Sequence, residues 1–169
     1  MLVTRQPCIK QANKHKQGKS MSDCCANSSP KVTVQACPQC GTACKSVEMP
    51  TLYHQVRFPE NQGIISDTYY FCPSKDCATA YFSISGNSVP KQQLKTHQDI
   101  QNDKLCYCFD IGAADYLSAL STNHAEAIKN FVMQRTKSGE CTCGLRNPSG
   151  QCCLARFKQL EKGHSPAVG

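Results

Sequence analysis

Two closely spaced pairs of cysteines in the first half of the sequence have the spacing of a metal site. Cys37 and Cys40 form a C-x₂-C pair followed by Gly41, and Cys72 and Cys77 form a C-x₄-C pair further along the chain. A tight turn at each pair can point both sulfurs at one ion, and four thiolates about 2.3 Å from the metal suit tetrahedral Zn²⁺. The spacing therefore predicts a closed, structural zinc site.

Two further residues near these pairs have side chains that bind zinc. They are Cys44 and His54. Either of them could take the place of a cysteine from the pairs. If they are not ligands, we expect Cys44 to be a small buried residue or an exposed thiol, and His54 to be a surface residue.

The second half of the sequence holds six more cysteines. Cys106 and Cys108 form a C-x-C pair directly before a predicted helix. A [2Fe-2S] cluster needs two thiolates per iron, and a C-x-C pair chelates a single tetrahedral zinc poorly. A helix N-terminus also favours the negative charge of such a cluster. We therefore predict a [2Fe-2S] cluster with Cys106 and Cys108 on one iron. The other ligands come from four later residues: Cys141, Cys143, Cys152 and Cys153.

Two other assignments of this second group stay open on the residues alone. The first is another zinc site with four cysteines. The second is a catalytic or exchanging dithiol within residues 141–153. A [2Fe-2S] cluster and a zinc site each take four cysteines, so either of them leaves two of the six cysteines over.

The composition explains why metals are expected to stabilise this fold. The chain has 169 residues, of which 14 are cysteine and none is tryptophan, so a large hydrophobic core is not available. Small domains of this kind use disulfides or metals instead. The first 20 residues contain no apolar run typical of a signal peptide. In the reducing cytoplasm, closely spaced cysteines indicate metal ligands. We predict a cytoplasmic protein without membrane insertion.

The net charge of +7 does not indicate a nucleic-acid partner. Five of the 19 basic residues lie in the first 20 residues, which contain no acid. The other 149 residues carry 14 basic and 12 acidic residues, a net charge of only +2. Four thiolates around each metal centre would add negative charge to this body. A basic surface for nucleic acid is therefore not expected.

The N-terminal residues are predicted to be a tail. Residues 1–20 are rich in Lys and Gln and lack a hydrophobic period, and we expect residues 1–36 to be disordered. This tail contains the adjacent pair Cys24-Cys25, which could hold Cu⁺ or another soft ion. Both Met1 and Met21 could be the natural start.

Residues 37–95 are predicted to form a small zinc-ribbon-like β module. The runs at 64–71 and 79–84 are rich in β-prone residues, and Gly86-Asn87 has the composition of a hairpin turn. The polar residues 96–105 are predicted to be a linker to the second half.

Residues 106–163 are predicted to be a helical module. Asp110 is expected to cap a first helix, and Asn123 with Glu126 resembles a capping box at the start of a second helix. A third, short helix is expected over 154–163, with a glycine at its end. The fold class is therefore α+β: a zinc-ribbon-like β module followed by a small helical [2Fe-2S]-binding module.

Four motifs resemble known metal-binding domains. CPQCG at 37–41 and YYFCPSKDCATAYF at 69–82 resemble the zinc-binding part of the N-terminal domain of CopZ-type copper chaperones. CYCF at 106–109 and NPSGQCCL at 147–154 are similar to bacterioferritin-associated ferredoxin, which corresponds to the [2Fe-2S] part of that domain. The resemblance covers roughly residues 37–157.

The resemblance implies a set of ligands for each centre. The zinc ligands would be Cys37, Cys40, Cys72 and Cys77. The cluster ligands would be Cys106 and Cys108, a cysteine shortly before the NPSG motif and one cysteine of the doublet, and for the last two we choose Cys143 and Cys153. The small ferredoxins have a C-x₂-C pair where this chain has a longer insertion, so Cys141 and Cys152 stay alternatives. If they are not ligands, we expect them to be exposed thiols beside a redox centre.

One departure from the CopZ pattern affects the expected function. Full-length CopZ proteins add a heavy-metal-associated domain with a copper site, and this chain ends at Gly169 without that domain. The resemblance therefore implies the metal centres more strongly than copper delivery. The partners of this protein would be a separate heavy-metal-associated copper carrier or a copper-exporting P-type ATPase, together with an electron donor that the sequence does not identify.

The predicted function is one-electron transfer in copper or heavy-metal handling, such as reduction of Cu²⁺ to Cu⁺. Two alternatives are a ferredoxin-like carrier for an iron store or oxidoreductase, and an interaction module with two zinc sites. An enzyme with its own organic substrate is not expected, because no nucleophile or acid–base pair stands out. We expect Asp115 and His124, the nearest candidates, to have structural roles.

Overall fold

A five-stranded antiparallel sheet forms the first half of the structure, which is a computed structural model that describes residues 32–164. Each strand pairs with the strand that follows it along the chain. They are β1 (Val34–Ala36), β2 (Ala43–Val47), β3 (Tyr69–Phe71), β4 (Thr79–Ser83) and β5 (Ser88–Pro90). The α+β class is confirmed. Most of the predicted tail, with Cys24-Cys25, lies outside the described residues, but its last three residues form β1.

Neighbouring side chains on a strand point to opposite faces of the sheet and therefore pack in two different clusters. Tyr69 and Phe71 of β3 pack in the larger hydrophobic core, whereas Tyr70 packs with the cysteines of the first site. On β4, Tyr81 joins the larger core and Phe82 stacks on Tyr70, with ring centroids 5.5 Å apart. The period of two along a strand produces this division.

A short helix, α1 (Met49–Gln55), covers the larger core. Pro50 lies in its first turn, where a missing N–H is tolerated. Leu52 is buried in the core of the sheet, while Thr51 and Gln55 are buried on the side that faces the second half. The sequence pattern did not predict this helix, because it is only seven residues long.

The second half combines a two-stranded ribbon with helices. The ribbon consists of β6 (Lys104–Cys106) and β7 (Ile111–Gly112). The helices are α2 (His97–Gln101), α3 (Ala113–Ser121), α4 (Ala125–Lys137), α5 (Cys143–Arg146) and α6 (Leu154–Gly163). Tyr116 and Phe157 meet edge to face at the centre of its core, with ring centroids 4.6 Å apart.

Some local predictions for this half were correct and others were wrong. Helix α6 has the predicted bounds. The predicted linker at 96–105 is instead ordered as α2 and the start of β6. Asp110 does not cap α3; it pairs with Lys104, and Asp115 accepts a hydrogen bond from the N–H of Gly112 at the cap. No side-chain capping box precedes α4 either, because the cap residue is His124.

The two halves pack against each other within one compact unit. Asp103 joins them, because its carboxylate contacts Lys75 at 3.1 Å and Arg156 at 2.7 Å. Burial opposes ionisation of this carboxyl, but hydrogen bonds from Arg156 and Lys75 hold the pKa of Asp103 below its ordinary value. The ionised form is therefore favoured at neutral pH.

None of the helices within residues 32–164 combines the length and the apolar character needed to span a bilayer.

The core of the second half allows a test of how much burial contributes to its stability. Phe157 is fully buried, whereas Phe131 is 44% exposed on α4. Phe157→Ala should lower the free energy of unfolding by about 3–5 kcal/mol, because it leaves a cavity under Tyr116. Phe131→Ala should cost only about 1 kcal/mol. Denaturant unfolding of both variants measures this difference, and equal losses would contradict it.

Candidate metal centres

The first pair of cysteines lies in a tight turn between β1 and β2. The N–H of Gly41 donates to the carbonyl of Cys37 at 2.8 Å, and the N–H of Cys37 donates to the carbonyl of Thr42 at 2.9 Å. Gly41 has a φ of +73°, a left-handed conformation that favours glycine. This closed turn brings the sulfurs of Cys37 and Cys40 to the same side.

The second pair follows β3 directly. The N–H of Cys72 donates to the carbonyl of Ala80 at 2.8 Å, which continues the sheet to the first ligand. The ammonium of Lys91 then donates to the carbonyl of Cys77 at 2.7 Å and to the carbonyl of Ser74. Lys91 is only 1% exposed. Its buried positive charge therefore stabilises the turn between the two ligands.

Lys91 could not be recognised from the sequence as part of this site. Lysine is among the residues that are least often buried, and nothing in the residues around it indicates a buried charge. Only the pairing of β5 with β4 brings it under the turn between Cys72 and Cys77.

The four predicted ligands of the first site come together. The sulfur of Cys37 is 3.9 Å from that of Cys77, and the sulfur of Cys40 is 3.5 Å from that of Cys72. All four sulfurs lie within 4.8 Å of one another. Sulfurs at the corners of a zinc tetrahedron are about 3.8 Å apart, as follows from a Zn–S distance of 2.3 Å. The site therefore has the dimensions of a zinc centre.

The four sulfurs differ in how readily they ionise. A hydrogen bond with the side chain of Thr42 lowers the pKa of Cys40 to about 6. Burial raises the pKa of both Cys72 and Cys77 above the ordinary thiol value. Zinc binding must therefore displace protons from the buried thiols, and affinity should fall as the pH decreases.

Cys44 and His54, the two spare residues, do not join the four sulfurs. The thiol of Cys44 donates to the carbonyl of Thr42 at 3.0 Å, and burial raises the pKa of Cys44 to about 11. It is therefore a neutral, buried thiol beside the site. His54 is exposed on α1.

Four cysteines also come together in the second half. Cys106 ends β6, Cys108 lies in the turn that follows, Cys143 begins α5, and Cys153 directly precedes α6. Cys106, Cys143 and Cys153 are buried, and Cys108 is half-buried. These are the four cysteines chosen from the sequence as the predicted cluster ligands.

The closest contacts in this group form two pairs. The thiol of Cys153 donates to the sulfur of Cys106 at 3.3 Å, and the sulfurs of Cys108 and Cys143 are 3.6 Å apart. The sequence pattern predicted that Cys106 and Cys108 share one iron. In the structure Cys106 is in contact with Cys153, and Cys108 is in contact with Cys143. Which sulfurs share an iron stays a prediction.

Hydrogen bonds between these thiols divide them into donors and acceptors. Interaction with the thiol of Cys153 lowers the pKa of Cys143 to about 5 and that of Cys106 to about 7. The same interactions raise the pKa of Cys153, and burial raises that of Cys108 to about 11. The group therefore supplies thiolates in a largely buried environment, as metal binding requires.

The two remaining cysteines of this half lie at the edge of the group. Cys152 is exposed, and Cys141 is half-buried with its side chain near Cys143. The structure therefore places Cys143 and Cys153, and not Cys141 and Cys152, in contact with the C-x-C pair.

The second group is more spread out than the first. Within residues 32–164, the first site is the only set of three or more His, Cys, Asp or Glu side chains whose ligand atoms all lie within 4.8 Å of one another. The second group thus consists of two close pairs and not of one compact tetrahedron. It could bind a metal ion or a cluster.

Comparisons with known proteins agree with the first site. Residues 34–95 match the family model of the zf_CopZ zinc binding domain. The X-ray structure of the Archaeoglobus fulgidus CopZ N-terminal domain is similar, with a TM-score of 0.59 and 26% sequence identity. That match covers 75% of this chain and 97% of the CopZ domain. No curated protein matches the chain in sequence.

The match identifies residues 34–95 as a CopZ-type zinc-binding domain, and the expected resemblance to the CopZ N-terminal domain is confirmed. The similarity of the second half to bacterioferritin-associated ferredoxin stays a prediction. The structural similarity extends beyond this segment, because three quarters of the chain are covered. The protein is therefore a metal-binding protein with a zinc centre of four cysteines.

Replacing one zinc ligand tests the first centre. Cys72→Ser should reduce zinc from about one ion per chain to nearly none and should unfold the sheet, because a structural zinc site supplies folding free energy. Cys44→Ala is the matched control, since it removes a buried thiol outside the four-sulfur set. Elemental analysis and circular dichroism measure both effects. Full zinc content in Cys72→Ser would contradict the assignment.

Proposed function

We propose that this protein binds zinc and a [2Fe-2S] cluster and transfers single electrons in copper or other heavy-metal handling. One observation carries the cluster assignment: the four sulfurs of the second group form two close pairs, at 3.3 and 3.6 Å, and do not form a compact tetrahedron. Two thiolates per iron on two irons require such an arrangement, whereas a second zinc site would favour one set of four.

The residues of the second half suit a group of this kind. A bound [2Fe-2S] cluster supplies reversible one-electron chemistry. Buried Cys106 and Cys153 would exclude water from one side of it, and half-buried Cys108 would leave the other side open to a redox partner. The guanidinium of Arg146 donates to the carbonyl of Cys108 at 3.3 Å, so a positive charge lies beside this exposed edge. Such a charge would favour the reduced state.

Copper enters this proposal as a substrate. One electron leaves the singly reduced protein, and Cu²⁺ becomes Cu⁺. The support is the resemblance to CopZ-type copper chaperones. A one-electron reductant must restore the protein, and a heavy-metal-associated carrier domain or a copper-exporting P-type ATPase would accept the Cu⁺. The protein would act in the cytoplasm, as an electron-transfer protein and not as an enzyme with an organic substrate.

A ferredoxin-like electron carrier is the second candidate, and a surface feature favours it. A shallow apolar groove lies next to Cys108 and includes Phe109 and the half-exposed Phe131, which meet edge to face at 5.3 Å. Asp110 and Asp115 also line this groove. A redox protein with an apolar contact surface would be complementary to this groove.

Metal analysis of anaerobically purified protein tests the cluster. Wild type should contain about two irons, two sulfides and one zinc per chain, with visible bands that bleach on reduction. Cys108→Ser should lose the iron and the colour and keep the zinc, because its sulfur belongs to the second group alone. Cys152→Ser is the control and should keep all three. A colourless wild type with two zincs after reconstitution would indicate a double zinc module instead.

A copper assay separates the two redox candidates. Wild type reduced with dithionite and freed of excess reductant should convert about one equivalent of glycine-bound Cu²⁺ to Cu⁺, detected with a Cu⁺-specific dye, as its visible bands return. Zinc-loaded Cys108→Ser corrects for copper reduction by free thiols. Equal Cu⁺ from both proteins would exclude copper as the electron acceptor and leave the ferredoxin-like carrier.

A further inference from the structure

Side chains of the zinc-binding half hold the loop that carries Cys143 and Cys153 of the second group. Helix α5 has only four residues, so most of its carbonyl groups lack partners within the helix. The carbonyl of Cys143 accepts from the N–H of Asn147, the residue that follows α5, at 3.1 Å. The next three carbonyls belong to Gly144, Leu145 and Arg146, and they accept from side chains of the zinc-binding half.

Two side chains of α1 make these contacts. The hydroxyl of Thr51 donates to the carbonyl of Gly144 at 2.6 Å. The amide nitrogen of Gln55 donates to the carbonyls of Leu145 at 2.7 Å and Arg146 at 2.9 Å. Thr51 and Gln55 are four residues apart and therefore lie on the same face of α1. They cap the C-terminal end of α5, whose first residue is Cys143.

The donors of these contacts are buried. Thr51 and Gln55 are 0% and 1% exposed, whereas their acceptors Gly144, Leu145 and Arg146 belong to the exposed side of α5. The amide oxygen of Gln55 accepts from the hydroxyl of Thr96 at 2.6 Å. The hydrogen bond from Thr96 fixes the orientation of the Gln55 amide, because the amide nitrogen must then face α5. Loss of either donor would therefore weaken the hold of α1 on α5.

A third contact holds the rest of the loop. The hydroxyl of Tyr81, on β4, donates to the carbonyl of Pro148 at 2.6 Å, and Tyr81 is fully buried. Gly150, with a φ of +65°, passes so close to Thr51 that an added Cβ would lie 3.4 Å from its hydroxyl. The zinc-binding half therefore contacts both α5 and the turn at 148–150, the two parts of the chain between Cys143 and Cys153.

We propose that Thr51 and Gln55 are positioning residues for the second metal centre. They hold α5 so that Cys143 stays in contact with Cys108, and the zinc-binding half thereby sets how long the second centre keeps its metal. This inference rests on the proposed cluster, but the positioning of the loop can be measured without it.

An isosteric substitution tests Gln55. Gln55→Glu keeps the size of the side chain but turns an amide donor into a carboxylate that faces two carbonyl oxygens. Iron release to a chelator should become about tenfold faster, with zinc unchanged at one per chain. Gln92→Glu makes the same change at an exposed position of the zinc-binding half and should behave as wild type. An unchanged release rate in Gln55→Glu, or parallel loss of zinc, would overturn the proposal.

A matched pair at Thr51 guards against a variant that simply fails to fold. Thr51→Val keeps the shape and removes the hydroxyl, whereas Thr51→Ser keeps the hydroxyl. Valine should speed iron release severalfold and shift the visible circular dichroism of the centre, and serine should restore both. Equal behaviour of the two variants would show that the hydrogen bond to Gly144 has no positioning role.

Hydrogen exchange separates this inference from the proposed function. In zinc-loaded protein without iron, Gln55→Glu should accelerate amide exchange within residues 145–150 about tenfold relative to Gln92→Glu, while the sheet stays protected. If wild type holds no cluster but the exchange result is obtained, the proposed function fails and the positioning stands. If wild type holds a cluster and exchange is unchanged, the positioning is wrong.

Discussion

Four sulfurs within 4.8 Å of one another are the constraint on which the first half of this protein depends. Burial raises the pKa of Cys72 and Cys77, so these thiols cannot all ionise unless a cation lies between them. Zinc supplies that charge, and its binding free energy replaces part of the hydrophobic core that a cysteine-rich chain without tryptophan lacks. The buried ammonium of Lys91 adds a second positive charge, which holds the turn between the two later ligands.

The sheet that carries the zinc ligands also positions part of the second half of the chain. Because side chains alternate along a strand, Phe82 packs beside the zinc ligands while Tyr81, one residue earlier, faces the opposite core and reaches the carbonyl of Pro148. Helix α1 lies on that same core and satisfies the free carbonyls of α5. The two groups of cysteines are therefore linked through hydrogen bonds of a few buried side chains, and the second group packs on a fold that the first group stabilises.

The fold class and much of the β half followed from the sequence, because short apolar runs, a Gly-Asn turn and paired cysteines are local signals. The hairpin between β4 and β5 turns at Gly86, whose φ is +91°. Helix α6 was also correct in its bounds. The helix caps at Asp110 and Asn123 were wrong, since an ion pair with Lys104 and a left-handed backbone at Asn123 took precedence over local capping. Residues 96–105 were polar enough to resemble a linker, but Ile100 is buried and anchors a helix there.

The sequence by itself determined which residue types would bind metal, because C-x₂-C, C-x₄-C and C-x-C spacings restrict thiolates to one side of a turn. Only the tertiary structure decided how the sulfurs pair: Cys106 with Cys153, and Cys108 with Cys143. It also decided that Lys91, Thr51 and Gln55 support the two groups of cysteines. These three residues act through contacts between segments far apart in the chain, up to 93 residues for Thr51 and Gly144, and no local pattern encodes such a contact.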